Sequence, residues 1–132
     1  MKVFVDSDVI ISSLISNSGA ASELVNNFEI IKIVSNFSIK ELGIVKTRLK
    51  INKPLPELEV LTITNIKKYS IHSSDVNDAH IVAGAHQAKV KFLITYNLKH
   101  YKIDKIKRDL NIIIMTPGMF LQYLRLSDKI DL

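Results

Sequence analysis

The chain has 132 residues, with 18 Lys plus Arg against 13 Asp plus Glu, a formal balance of +5, and no cysteine. That length suits one domain spanning residues 1–132, and the lack of cysteine excludes disulfide scaffolds, cysteine-based zinc sites, iron–sulfur clusters and thiol catalysis. No run approaches the roughly 20 apolar residues of a membrane span, and the opening strand pattern meets Asp6 too early for a signal peptide, so a cytoplasmic location is expected.

Val3-Phe4-Val5 is an unbroken β-prone run ending at Asp6, the pattern of a strand covered on both faces. Ser7 can cap the next helix, in which Val9, Ile10, Ser13 and Leu14 keep helical spacing. After a break at Ser18-Gly19, Ala20 to Phe28 reads as a second helix and Ile30 to Val34 as a second strand. Asn36 to Lys50 predicts a helix with Ile39, Leu42, Val45 and Leu49 along one stripe. Lys53-Pro54-Leu55-Pro56 marks a loop within the domain. Val60 to Thr64 suits a strand, and Ile66 to Tyr69 a short helical turn. Asp75 to Lys89 predicts a helix, with Ala79, Val82, Ala83 and His86 at helical intervals. Phe92 to Thr95 and Ile112 to Met115 are buried-strand patterns, and Pro117 opens a last helix with Phe120, Leu121 and Leu124 facing inward. This alternation implies an α/β fold, a mostly parallel sheet sandwiched by helices. Ligands of such sheets gather beyond the carboxyl ends of the strands, where strand order reverses. Asp6, Tyr96 and Asn97 fall at strand ends of that kind.

Residues 1–66 carry seven basic and seven acidic side chains, whereas 67–132 carry eleven and six. Lys89, Lys91, Lys99, Lys102, Lys105, Lys107 and Arg108 stand within 89–108 against Asp104. A patch so concentrated suits a polyanion, most simply nucleic acid, although a solvated lysine face gives the same pattern.

Asp6 with Asp8, Glu41, Asp75 with Asp78, and Asn97 are the candidate site positions. Carboxylates that converge without basic partners repel one another and are tolerated chiefly around a divalent cation. Oxygen ligands select hard ions such as Mg²⁺ or Mn²⁺. Plainer readings exist: a capping box for Ser38 and Glu41, a helix cap for Asp75, and first-turn acids for Asp8 and Asp78. Asp6 resists them, because an unpaired carboxylate at a buried strand end costs several kcal/mol unless solvated or coordinated. The histidines His72, His80, His86 and His100 lack metal-ligand spacing, Ser12 and Ser13 lack a neighbouring base or glycine elbow, and the four glycines form no phosphate-cradling loop.

Four segments in order resemble the PIN-domain ribonucleases, particularly the small VapC-like toxins: Val3-Phe4-Val5-Asp6-Ser7-Asp8-Val9, Ser38-Ile39-Lys40-Glu41-Leu42, Asp75-Val76-Asn77-Asp78-Ala79-His80-Ile81-Val82-Ala83-Gly84-Ala85, and Leu93-Ile94-Thr95-Tyr96-Asn97-Leu98-Lys99-His100-Tyr101. The resemblance implies a three-layer α/β/α fold around a twisted, mostly parallel sheet. It implies a Mg²⁺- or Mn²⁺-dependent endoribonuclease, the toxin of a toxin–antitoxin pair, with an RNA substrate, a cognate antitoxin partner and self-association as a homodimer. Carried over by position, the metal-binding acids are Asp6, Glu41 and Asp78, and the fourth acidic position falls on Asn97, which brings no charge. Thr95 and Ser7 match auxiliary hydroxyl positions, and Asp75 is either an auxiliary ligand or the helix cap, the cap being favoured. Lys99 and Lys102 would line the rim and attract phosphates; Tyr96 and Tyr101 are suited to stacking on a base or to packing.

Asn97 motivates a second reading, a catalytically weak or inactive RNA-binding or regulatory module on the same fold. Asp6-Ser7-Asp8 motivates a third, a phosphatase of the haloacid dehalogenase type, for which the chain is short and Glu41 has no role.

Overall fold

A computed structural model describes residues 1–130, so Asp131 and Leu132, the end of the expected domain, lie outside the described residues. The elements in chain order are β1 (Lys2–Val5), α1 (Ser7–Ile15), α2 (Ala20–Val25), β2 (Ile31–Ser35), α3 (Asn36–Arg48), β3 (Glu59–Leu61), α4 (Ala79–Gln87), β4 (Phe92–Ile94), α5 (Ile103–Leu110), β5 (Ile113–Met115) and α6 (Pro117–Ile130). Segments of 3-10 helix cover Ile66–His72, Val76–Asp78 and Leu98–His100.

The strands form one sheet in the order β3-β2-β1-β4-β5, and every neighbouring pair is parallel. Side chains alternate across it with the two-residue period of a strand. Val3, Val5, Val34, Phe92 and Ile94 meet α1, α2, Leu42 of α3 and Phe120 and Leu121 of α6 on one face. Phe4, Ile33, Leu93 and Ile114 meet Tyr69, α4, Tyr101 and Ile106 of α5 on the other. This is the expected three-layer arrangement, with a sheet that is parallel throughout. At the closest approach, a Cβ on Gly84 of α4 would overlap the ring of Phe4 and stand 2.8 Å from Ile63 Cδ1.

Strand order reverses between β1 and β4. The chain runs outward from β1 to β2 and β3, then crosses back to place β4 on the other flank. A hydrogen bond from Asp6 N to Ile94 O (2.9 Å) holds the two strand ends together.

Several boundaries differ from the sequence reading. The helix expected over 20–28 stops at Val25, because Asn26 and Asn27 turn the chain and Asn27 Oδ1 accepts from Glu29 N (2.9 Å); Phe28 is left exposed. The 75–89 helix begins as a 3-10 turn and becomes α-helical only at Ala79. Helix α5 was not expected. Ile103, Ile106 and Leu110 keep helical spacing and pack on the core, but they stand among the charges that the sequence presents as a basic patch.

Candidate active site

Asp6 immediately follows β1, and only 6% of it is exposed. Two hydroxyls donate to its Oδ2: Thr95 Oγ1 from the end of β4 (3.0 Å) and Tyr101 OH (2.8 Å). Burial, reinforced by Asp6, raises the Tyr101 hydroxyl far above the usual phenol range, so it remains a donor. Its position is fixed by an antiparallel bridge between Ser73 and Tyr101.

Asp8 lies in the first turn of α1 and reaches the same strand end. Its Oδ2 accepts from Tyr96 N (3.0 Å) and lies 3.4 Å from Thr95 Oγ1, while its Oδ1 is buried without a partner. Burial and then the charge of Asp6 push the Asp8 carboxyl up to about 6, against the pull of its amide donors.

Asp78 ends the 3-10 turn before α4 and faces His100 Nδ1 at 2.9 Å. Its carboxyl is raised by burial and by Asp6, and His100 opposes the shift. Glu41, on exposed helix α3, accepts from Ser7 Oγ at 3.2 Å. It forms no capping box. Ser35, not Ser38, caps α3 by accepting from Ser38 N (2.9 Å). Nor does Ser7 cap α1: it is the first helical residue, and its hydroxyl is spent on Glu41.

Two aromatic groups map the acids. The charges of Asp6, Asp78 and Asp8 all act on the Tyr101 hydroxyl. Those of Asp6, Asp78 and Glu41 act on His80, whose Nδ1 lies 3.1 Å from Ser35 Oγ. Burial nevertheless holds His80 below the usual histidine range. The charge of Asp6 thus acts on Asp8, Asp78, His80 and Tyr101, and that of Glu41 on His80.

The remaining expected residues are at the rim or outside it. Asn97 is exposed, and its backbone N donates to Thr95 Oγ1 (3.0 Å). Asp75 shapes the turn, accepting from Asn77 N (2.9 Å). Lys99 and Lys102 are exposed on either side of His100 and Tyr101, which turn inward to Asp78 and Asp6. The sequence pattern gives His100 no site role and leaves Tyr101 between stacking and packing. For Asp8, a candidate beside Asp6 with a plainer reading as a first-turn acid, the Asp6-Ser7-Asp8 spacing is the signal that it shares the strand end.

Among the described residues, no group of three or more His, Asp or Glu side chains is placed so that it could hold a metal ion. Asp6, Glu41 and Asp78 therefore do not form a ready cage as they stand. The donor chemistry nevertheless fits a hard divalent cation. The set is all oxygen, and burial and then the charge of Asp6 raise both Asp78 and the neighbouring Asp8.

A family model described as PIN domain matches residues 2–99, and the chain belongs to that family, whose members are generally nucleases. Among solved structures, one similar chain comes from a toxin–antitoxin complex of Klebsiella pneumoniae, with 19% identity and a TM-score of 0.60 over 87% of this chain and 97% of that one. Another comes from VapBC2 of Rickettsia felis bound to a DNA fragment from its promoter, with 16% identity and a TM-score of 0.55 over 88% and 98%. Likeness at that identity is a likeness of fold. No curated protein matches the chain.

Proposed function

We propose that the chain is a Mg²⁺- or Mn²⁺-dependent endoribonuclease acting as the toxin of a toxin–antitoxin pair in the cytoplasm. What supports the nuclease reading is that Asp6 and Asp8 stand at the β1/β4 switch point, that the charge of Asp6 also acts on Asp78, and that among the described residues no lysine or arginine is paired to these acids. Asp6, Glu41 and Asp78 would hold the cation. When bound, the ion would supply charge stabilisation and water activation for phosphodiester hydrolysis.

The protein's own groups prepare that chemistry. Thr95 and Tyr101 fix one oxygen of Asp6 by hydroxyl donation, so the carboxylate keeps a single orientation. His100 orients Asp78, and Ser7 tethers Glu41. Lys99 and Lys102, beside the residues that touch the acids, attract the phosphates of an approaching strand while leaving the acids unpaired.

The antitoxin partner and homodimer rest on the family and on the fold shared with proteins solved in toxin–antitoxin complexes. The direct test is cleavage of a panel of RNAs by purified protein. Cleavage requiring Mg²⁺ or Mn²⁺, stopped by chelator and reduced roughly a hundredfold or more by Asp6→Asn, is expected. Binding of RNA without metal-dependent cleavage would favour the regulatory reading that Asn97 motivates.

A further inference from the structure

We propose that Phe37 and Tyr96 are substrate-positioning residues that stack on unpaired bases on either side of Asp6, so that the RNA taken by the site is single-stranded. The inference deepens the nuclease reading above by naming its substrate class, and rests on that reading.

The sheet sets the two residues on opposite sides of Asp6. Strand β1 pairs with β2 through Phe4 beside Ile33, and with β4 through Val5 beside Ile94. Continued to the strand ends, these registers put Ser35 and Thr95 level with Asp6 on its two sides. Phe37 follows Ser35 by two residues, and Tyr96 follows Thr95 directly. Neighbouring strands lie roughly 4.8 Å apart, so the two segments leave the sheet roughly 10 Å apart with Asp6 between them. A polynucleotide crossing the carboxyl ends of β2, β1 and β4 passes both residues.

Both are aromatic residues that the fold leaves outside its core. Phe37 is 41% exposed and Tyr96 43%, and among the described residues neither belongs to the hydrophobic layers on the two faces of the sheet. Both are nevertheless held in place. Tyr96 N donates to Asp8 Oδ2 (3.0 Å). Phe37 stands one helical turn before Glu41 on α3, the spacing that puts two side chains on the same side of a helix. Its ring makes a T-shaped contact with His80, with centroids 5.5 Å apart and planes at 62°. His80 Nδ1 in turn lies 3.1 Å from Ser35 Oγ, and the charges of Asp6, Asp78 and Glu41 act on that imidazole. A T-shaped contact braces the phenyl ring and leaves at least one of its faces clear of His80.

Helix stability does not call for Phe37, since lysine or glutamate favours an exposed helical position more. Stacking does call for it: every base has a π-face, and that face is open to a side chain when the base is out of a duplex. With bases held on Phe37 and Tyr96, the phosphates between them lie over Asp6. Ile44, two turns along α3 from Phe37 and 59% exposed, offers the rival reading of a protein-docking stripe. Tyr96 is no part of α3, and its matching exposure across Asp6 favours the nucleic acid.

The chain has no tryptophan, so Phe37→Trp and Tyr96→Trp each introduce a single indole reporter. The test titrates the whole chain, in chelator, with a short single-stranded RNA and with the same RNA annealed to its complement. Each tryptophan variant should keep the wild-type affinity for the single strand and lose indole emission on binding it. Phe37→Leu should bind the single strand roughly tenfold more weakly, with duplex binding unchanged. An indole unquenched in the bound complex, wild-type affinity in Phe37→Leu, or an equal loss for duplex and single strand overturns the stacking role. So does a Phe37→Leu chain that loses self-association alone, which assigns Phe37 to a protein interface with Ile44. In those cases metal-dependent cleavage by the wild type leaves the nuclease reading standing. Quenching and weakened binding in a chain that cleaves no RNA with Mn²⁺ support the stacking and overturn the nuclease reading. A wild-type chain that binds no RNA overturns both. Should Phe37→Leu fail to fold, quenching in Phe37→Trp decides alone.

Discussion

Thr95 has one hydroxyl proton, with Asp6 Oδ2 at 3.0 Å and Asp8 Oδ2 at 3.4 Å. The shorter contact takes it, so Asp8 depends on the Tyr96 amide while burial and Asp6 push its carboxyl up to about 6, from an unfolded value of 3.8. An acid raised in the folded state holds its proton longer there than in the unfolded chain. Its contribution is complete below the unfolded value and is lost as pH rises through the folded one. Metal-free protein at low salt should therefore lose stability relative to Asp8→Asn as pH rises from about 4 to about 7. Parallel denaturant titrations of the two proteins would show it; curves that stay parallel across that window would refute the buried charge. Asp6 was legible from sequence because an acid directly after an apolar strand has few uses. Tyr101 and His100 were not, because what they touch depends on the turn that brings 100–101 back over the β1 end.

At the scale of elements, β1 and β4 were legible because Val3 to Val5 and Phe92 to Ile94 are apolar throughout, as a strand covered on both faces must be. Helix α5 was hidden although Ile103, Ile106 and Leu110 keep helical spacing, because the charges among them stand out as part of a basic patch. The capping of α3 was misplaced by three residues: Ser35 and Ser38 both fit a cap, and only the end of β2 at Ser35 decides between them. Helix α4 rests on β1 through Gly84, where any side chain would collide with Phe4 and Ile63. Phe4 is fully buried and cannot swing outward. Gly84→Ala is expected to destabilise the fold by about 1–3 kcal/mol, read as a lowered denaturant midpoint. A midpoint at or above the wild-type value would mean that the helix shifts freely, which tight packing across the sheet does not allow.

Over the whole molecule, charge and topology divide the work. The first half is electrically balanced and supplies Asp6, Asp8 and Glu41, while the second half carries the excess of five and sets exposed Lys99 and Lys102 next in sequence to His100 and Tyr101, which touch Asp78 and Asp6. No helix among the described residues is long and apolar enough to cross a membrane. If the basic rim steers a polyanion, the affinity for single-stranded RNA should fall with salt. Replacing Lys99 and Lys102 by Ala should reduce the slope of log affinity against log salt by about one for each lysine. An unchanged slope would place the nucleic acid elsewhere.

The shared occupancy of the switch point by the acids is best tested by diffraction from manganese-soaked crystals, recorded for anomalous scattering. The account predicts one strong anomalous peak bounded by the carboxylates of Asp6 and Asp78, with Glu41 turned toward it. Well-ordered side chains with no peak there, at a manganese concentration that saturates any binding seen in solution, would contradict it.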